Sequence, residues 1–134
     1  MDDFADFDKL LGKWAYESSD NFDNYMKHVG VGLITRKMAC AQKPTLIITR
    51  DENKIKIVTE STFKTIVLEF ELGKEFDETT GDGRKMKSIF FMENGKLIQE
   101  QKKINPEDKD SRFERYVDEN GTFVIVCTSI FLST

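Results

Sequence analysis

Apolar and polar positions along the chain follow two different periods. From Ser18 to Gly32, Phe22, Tyr25, Met26 and Val29 recur at i, i+3, i+4 and i+7, which is one face of a helix. Ser19 or Asp20 can cap its start and Gly30 can end it. The segment GLITRKMACA predicts a second short helix, which Pro44 stops. Gly30 and Gly32 form the turn, so a helix-turn-helix is expected over about residues 19–42. After Pro44 the period drops to two. TLIIT and IKIVT flank the polar turn RDENK. From Thr65 onward Ile66, Leu68, Phe70 and Leu72 share one face, with Glu69 and Glu71 opposite. KEFDET, KMKSIFFM, KLIQEQK, RFERYV and the tail TFVIVCTSIFLST continue the series. Asn94-Gly95 and Asn120-Gly121 fall between such runs as hairpin signals. Short strands joined by tight turns predict an all-β barrel or sandwich, a meander of about ten strands with one early helical pair.

Composition narrows the function classes. A chain of 134 residues is long enough for one domain with its own core. A net charge of −4 with 33% charged residues fits a soluble protein, and no basic footprint for nucleic acid is present. There are 11 Phe against 1 Trp and 3 Tyr, so the Phe side chains either pack a core or line something. The N-terminus MDDFADFDKLLGKW lacks the basic and apolar regions of a signal peptide. The apolar tail is far shorter than the ~20 residues of a spanning helix. Cys40 and Cys127 are expected as free thiols in a reducing cytoplasm.

Catalytic and metal motifs are missing from this pattern. His28 is the sole histidine and lies on the polar side of the helix pattern, as expected of a solvated residue. GVGLIT lacks the third glycine of a phosphate loop and follows a helix rather than a strand. DETTGDG lacks the oxygen-ligand spacing of a calcium loop, and no G-x-S-x-G elbow occurs. Neither an enzyme nor a cofactor is expected. One residue stands out: alternation in RFERYV places Arg115 with Phe113 and Val117, against Arg112, Glu114 and Tyr116. Alternation alone does not choose the inner face. If Arg115 points inward, its guanidinium needs an anion or a hydrogen-bond cage, and its planar fork suits a carboxylate.

GKWAYESSDNFDNYMKHVGVGLITRKMACAQKPTLIIT, followed by TESTFKT, LGKEFDETTGDGRKMKS and ENGKL, resembles the intracellular fatty acid-binding protein family, which includes the cellular retinoid-binding proteins. The similarity runs from about Leu11 to Gln101. It implies a calycin-type antiparallel up-and-down β-barrel of ten strands, capped by the helix-turn-helix as a lid. The ligand would sit inside and pass through a portal beside the second helix. The implied function is cytoplasmic transport and buffering of long-chain fatty acids by a monomer, with the nucleus as a further compartment. Alternatives are a retinoid or other hydrophobic ligand, or a C-terminally altered isoform that binds weakly or not at all.

The resemblance also implies roles for residues. Phe22 and Met26 on the first helix, Ala39, Pro44 and Leu46 before and in the second strand, and Thr59 and Ser61 match cavity positions. Phe63 matches a portal phenylalanine, and Gly81 and Asp82 match the opposite portal turn. Lys27, Arg36 and Lys37 match a basic cluster on the lid that touches anionic membranes. Arg115 falls on the family's R-x-x-D strand, whose arginine holds the ligand carboxylate.

The chain departs from the pattern at both ends. About residues 1–9 form an extension, expected to be a neutral surface appendage, with Leu10 where the family usually has Phe. The family's terminal R-x-Y, which grips the carboxylate in many members, does not occur. Either TFVIVCTSIFLST is the ninth strand and the tenth is missing, or VCTSIFL is the closing strand with Ser129 and Phe131 in place of Arg and Tyr. The second placement is preferred because it keeps the barrel closed. In both, Arg115 is the remaining cationic anchor, with Ser129 as a polar assistant.

Overall fold

In the computed structural model, which describes residues 4–62 and 64–129, the helical pair and the strand series appear in the expected order. Strand β1 (Gly12–Ala15) precedes α1 (Phe22–His28) and α2 (Leu33–Ala41). β2 (Thr45–Asp51), β3 (Lys54–Glu60) and β4 (Thr65–Phe70) follow. β5 (Phe76–Thr79), β6 (Lys85–Glu93), β7 (Lys96–Lys103), β8 (Ser111–Val117) and β9 (Phe123–Ser129) complete the described elements. All pairings are antiparallel between sequence neighbours, in two sheets ordered β1-β2-β3-β4 and β5-β6-β7-β8-β9.

Local chemistry explains the boundaries, with two differences from expectation. Asn21, rather than Ser19 or Asp20, is the residue that opens α1, and it does so in the left-handed region at φ 59° with no side-chain cap. An asparagine tolerates that conformation better than most residues. Gly30 takes φ 98° just beyond the helix, as a terminating glycine should. Asn94 and Gly95 both have positive φ, 52° and 79°, the signature of a two-residue type I′ hairpin between β6 and β7. The second Asn-Gly pair works differently. Only Gly121 has positive φ, and the Asp118 carboxylate accepts the backbone N–H groups of Asn120 and Thr122 at 2.9 Å each, holding a longer loop.

That loop decides between the two placements of the tail. Val126, Cys127 and Thr128 pair with Glu114, Phe113 and Arg112, so this segment is the ninth strand and runs the full length of β8. The preferred placement, with VCTSIFL as the closing strand, is thereby corrected. Nine strands rather than ten are present among the described residues, and none of them pairs with the second edge of β1. Trp14 of β1 nevertheless packs its ring 5.2 Å from that of Phe123 at the start of β9. At the other seam, between β4 and β5, aromatic rings substitute for a ladder. Phe70 stacks on Phe90 at 3.8 Å and on Phe76 at 5.8 Å.

The N-terminal segment is not a surface appendage. Phe7–Leu10 forms a 3-10 turn whose Phe7 and Leu10 are fully buried with Ile48, Ile55, Ile57, Phe70, Phe90 and Leu97. Asp8 is gripped by both Arg50 Nε and Nη2 at 2.8 Å, a bidentate pair that fastens the plug to β2. A second cluster, Tyr25, Met26, Val29 and Val31, lies beneath the helices against Phe113 and Cys127.

Candidate functional site

Between these two clusters lies a cavity of about 330 Å³, within the range of small-molecule pockets. Its wall is assembled from α1, α2, strands β3, β4, β5, β7 and β8, and the turns beside them. Phe22, Met26, Ala39, Pro44, Thr59, Ser61, Gly81, Asp82 and Arg115 all contribute to the wall. Leu46 does not: it packs on the Phe7 cluster at the plugged end. Phe63 and Phe131 lie outside the described residues. The backbone of Ser129 pairs with Ser111, four positions along from the Ile125 partner of Arg115; its side chain also lies outside what is described. His28 is half-buried rather than solvated and takes no part in the wall.

Arg115 marks the floor. Its guanidinium carbon sits 5.4 Å from the Phe90 ring and 5.5 Å from the Phe113 ring, one from each apolar cluster. Burial pushes its pKa below the usual arginine value, with the charges of Glu78 and Cys127 opposing that shift. The group has few partners for so enclosed a cation. Nη1 donates to Gln99 Oε1 at 2.9 Å, and Nε is buried without a hydrogen bond. An enclosed guanidinium with spare donors can take an oxygen anion from a ligand. The Cys127 thiol is pushed up by burial, although Arg115 acts to lower it, so it is a poor nucleophile.

Sequence reasoning did not identify the polar residues around this floor. Glu78 Oε1 accepts from Ser88 Oγ at 2.5 Å and from the side-chain amides of Gln99 and Gln101 at 3.0 Å each. Glu78, Gln99 and Gln101 share the cavity wall with Arg115. KLIQEQK carries the signal, because buried glutamines at alternate strand positions need partners and point to a polar interior. What the sequence does not reveal is that β5 delivers Glu78 opposite β7.

The mouth of the cavity is held by other hydrogen bonds. Tyr25 donates its hydroxyl to Ser111 Oγ at 2.7 Å, tying α1 to β8, and burial raises the tyrosine pKa against that bond. Asp82 accepts from Arg84 Nε and Thr80 Oγ1 at 2.7 Å each, and Lys64 Nζ reaches the Gly81 carbonyl at 2.6 Å. A Cβ on Gly81 would come to 3.0 Å from Ile66 Cδ1, the far end of a β4 side chain that borders this turn.

The three lid cations separate in space. Lys27 and Lys37 are exposed. Arg36 is not a free surface charge: its side chain is 12% exposed and bonds Asp23 Oδ1 at 3.0 Å and the Val31 carbonyl at 2.7 Å. It braces α2 against α1. Around it, Ile34 is 76% and Leu33 56% exposed. Among the described residues no group of side chains could hold a metal ion, and no helix is long and apolar enough to cross a membrane.

Known proteins are similar to this chain in sequence and fold. A curated relative, fatty acid-binding protein homolog 5 of Caenorhabditis elegans, is 49% identical over 83% of this chain and 82% of its own length. The adipocyte fatty acid-binding protein of Pygoscelis papua is 46% identical over 90% of this chain and 89% of its own. The solved structure of a Schistosoma mansoni fatty acid binding protein in complex with arachidonic acid superposes with a TM-score of 0.84 at 36% identity, covering 96% of this chain and 91% of that one. The sequence model of the lipocalin / cytosolic fatty-acid binding protein family matches residues 11–124, and the chain belongs to that family.

Proposed function

We propose that this protein is an intracellular carrier that takes a long-chain fatty acid reversibly into its barrel and releases it unchanged. The observation that carries this reading is Arg115, enclosed between two aromatic rings on the cavity floor with donors to spare. The fatty acid-binding names of the relatives and the arachidonic acid held by the Schistosoma mansoni protein support it. The acyl chain supplies most of the affinity, at ~0.8 kcal/mol per buried CH₂. The carboxylate is fixed at Arg115, and no bond is made or broken. Isothermal titration of the delipidated protein with oleate tests this. One saturable site is expected, and absence of saturable binding overturns the reading.

The carrier works as a cytoplasmic monomer that meets anionic membranes through its lid. Support comes from the juxtaposition of exposed Leu33 and Ile34 with exposed Lys37 on α2, and of Lys27 on α1. Apolar contact and attraction to anionic headgroups then act together. Vesicles containing phosphatidylserine should accept ligand faster than neutral vesicles, and an Ile34→Glu/Lys37→Glu double variant should lose that difference.

A further inference from the structure

Two asparagine-glycine pairs stand in hairpin connections, Asn94-Gly95 between β6 and β7 and Asn120-Gly121 between β8 and β9. All four residues are exposed, and a glutamate precedes each pair, Glu93 in one case and Glu119 in the other. The local sequences are thus alike, and the backbone separates them. Gly121 N–H donates to the Asp118 carbonyl at 3.0 Å, and the Asp118 carboxylate holds the N–H groups of Asn120 and Thr122 on either side at 2.9 Å each. Gly95 N–H donates to no described residue. Crowding does not distinguish the pairs, since a Cβ on either glycine would meet nothing within 4 Å.

We infer that Asn94 is a site of spontaneous modification by water, converted to aspartate and isoaspartate through a cyclic imide, while Asn120 is protected. Glycine, with no Cβ, leaves its nitrogen open to approach the preceding side chain. The Gly95 nitrogen loses its proton and bonds to Asn94 Cγ; the Cγ–Nδ2 bond breaks and ammonia leaves. Water then opens the imide at either carbonyl, so that one carboxylate forms and one backbone amide is restored. No oxidant or reductant takes part, and the net charge of −4 gains one negative unit. At Asn120 the same attack must first break the bond from Gly121 to the Asp118 carbonyl, and its anionic intermediate would form beside the Asp118 carboxylate. The isoaspartyl product at position 94 runs the backbone through the side-chain carbon. One atom longer, it no longer fits a two-residue turn with positive φ at both positions. Met92 and Leu97 pair beside that turn, and Leu97 is buried with Phe90 in the core of the plugged end, which the modification therefore loosens.

The test ages the full chain in mildly alkaline buffer, folded and, in parallel, unfolded in urea. Peptide mass spectrometry locates each lost amide, and an isoaspartate methyltransferase with labelled S-adenosylmethionine counts the isoaspartyl product. In the folded chain Asn94 is expected to convert about tenfold faster than Asn120, the size of one hydrogen bond. In urea, where the turn hydrogen bonds are gone, the two sites should convert at similar rates. The isoaspartyl fraction should then unfold at a lower urea concentration than the parent, whereas an Asn94→Asp variant, which has the charge without the longer backbone, should unfold near the parent. Loss of the Asn120 amide as fast as that of Asn94 in the folded chain overturns the inference. So does survival of Asn94 in the folded chain over the period in which the unfolded chain loses it. An isoaspartyl fraction as stable as the parent overturns the effect on the plugged end.

Discussion

Replacing Arg115 with alanine should move ligand affinity and protein stability in opposite directions. In the folded protein the guanidinium is partly shielded from water, sits over two aromatic rings and makes one hydrogen bond among the described residues, from Nη1 to a neutral amide. Its depressed pKa records the same imbalance, with burial as the leading cause. Without ligand the cation is therefore under-compensated, and its removal is expected to leave the unfolding free energy unchanged or raise it, despite the lost packing. Binding behaves differently. The carboxylate of oleate gains a charge-assisted hydrogen bond at this residue, and losing it costs about 1.5–3 kcal/mol, or roughly 10–100-fold in Kd. Methyl oleate, which brings no charge, should lose less than about threefold. Displacement of a fluorescent fatty acid measures both affinities, and urea unfolding of the ligand-free protein measures stability. The anchoring argument is refuted if Arg115→Ala binds oleate as tightly as the parent. It is also refuted if ester and acid lose affinity equally, because the effect would then come from cavity shape.

Other consequences concern the plug, the latch and the portal. Phe7→Ala removes a ring with no solvent exposure and should cost about 3–5 kcal/mol in urea unfolding; a loss below ~1 kcal/mol would return the N-terminal segment to the surface. Tyr25→Phe removes the donor to Ser111 and should cost ~1–2 kcal/mol, with faster oleate release in stopped-flow mixing because α1 is less firmly tied to β8. Burial acts to raise the Asp82 pKa, but hydrogen bonds from Arg84 and Thr80 outweigh it and hold it below the usual 3.8. A carboxylate with a lowered folded pKa stabilises above its unfolded value and loses that contribution as pH falls through the folded one. Acid titration should thus loosen the portal turn below about pH 4, and Asp82→Asn should lack that component.

Much of the fold was legible because it is written in short-range patterns. The spacing of Phe22, Tyr25, Met26 and Val29 specifies one buried helical face, and all four pack beneath the lid. Ile66, Leu68 and Phe70 announce β4, and Asn94-Gly95 announces its hairpin, since both residues accept positive φ. Arg115 stood out because a charge on an apolar face has few stable explanations. The N-terminal segment was misread for the same local reason. Phe4 and Phe7, alternating with aspartates, have no periodic partner nearby; their partners, including Arg50, lie some forty residues on.

The amino-acid sequence determined which residues share a face on each strand, because side chains alternate along an extended backbone whatever surrounds it. It could not determine what stands opposite them. That β9 zips along β8 from Val117 to Ser111, carrying Cys127 under the lid, depends on a register set by the Asp118–Thr122 loop. That Glu78 reaches Gln99 across 21 positions, and Gln99 reaches Arg115 across 16, depends on the four strands β5 to β8 lying side by side. Contacts of that kind arise from chain closure rather than from local propensity. The character of the cavity floor, a cation and an anion joined by one amide, was therefore decided by tertiary structure alone.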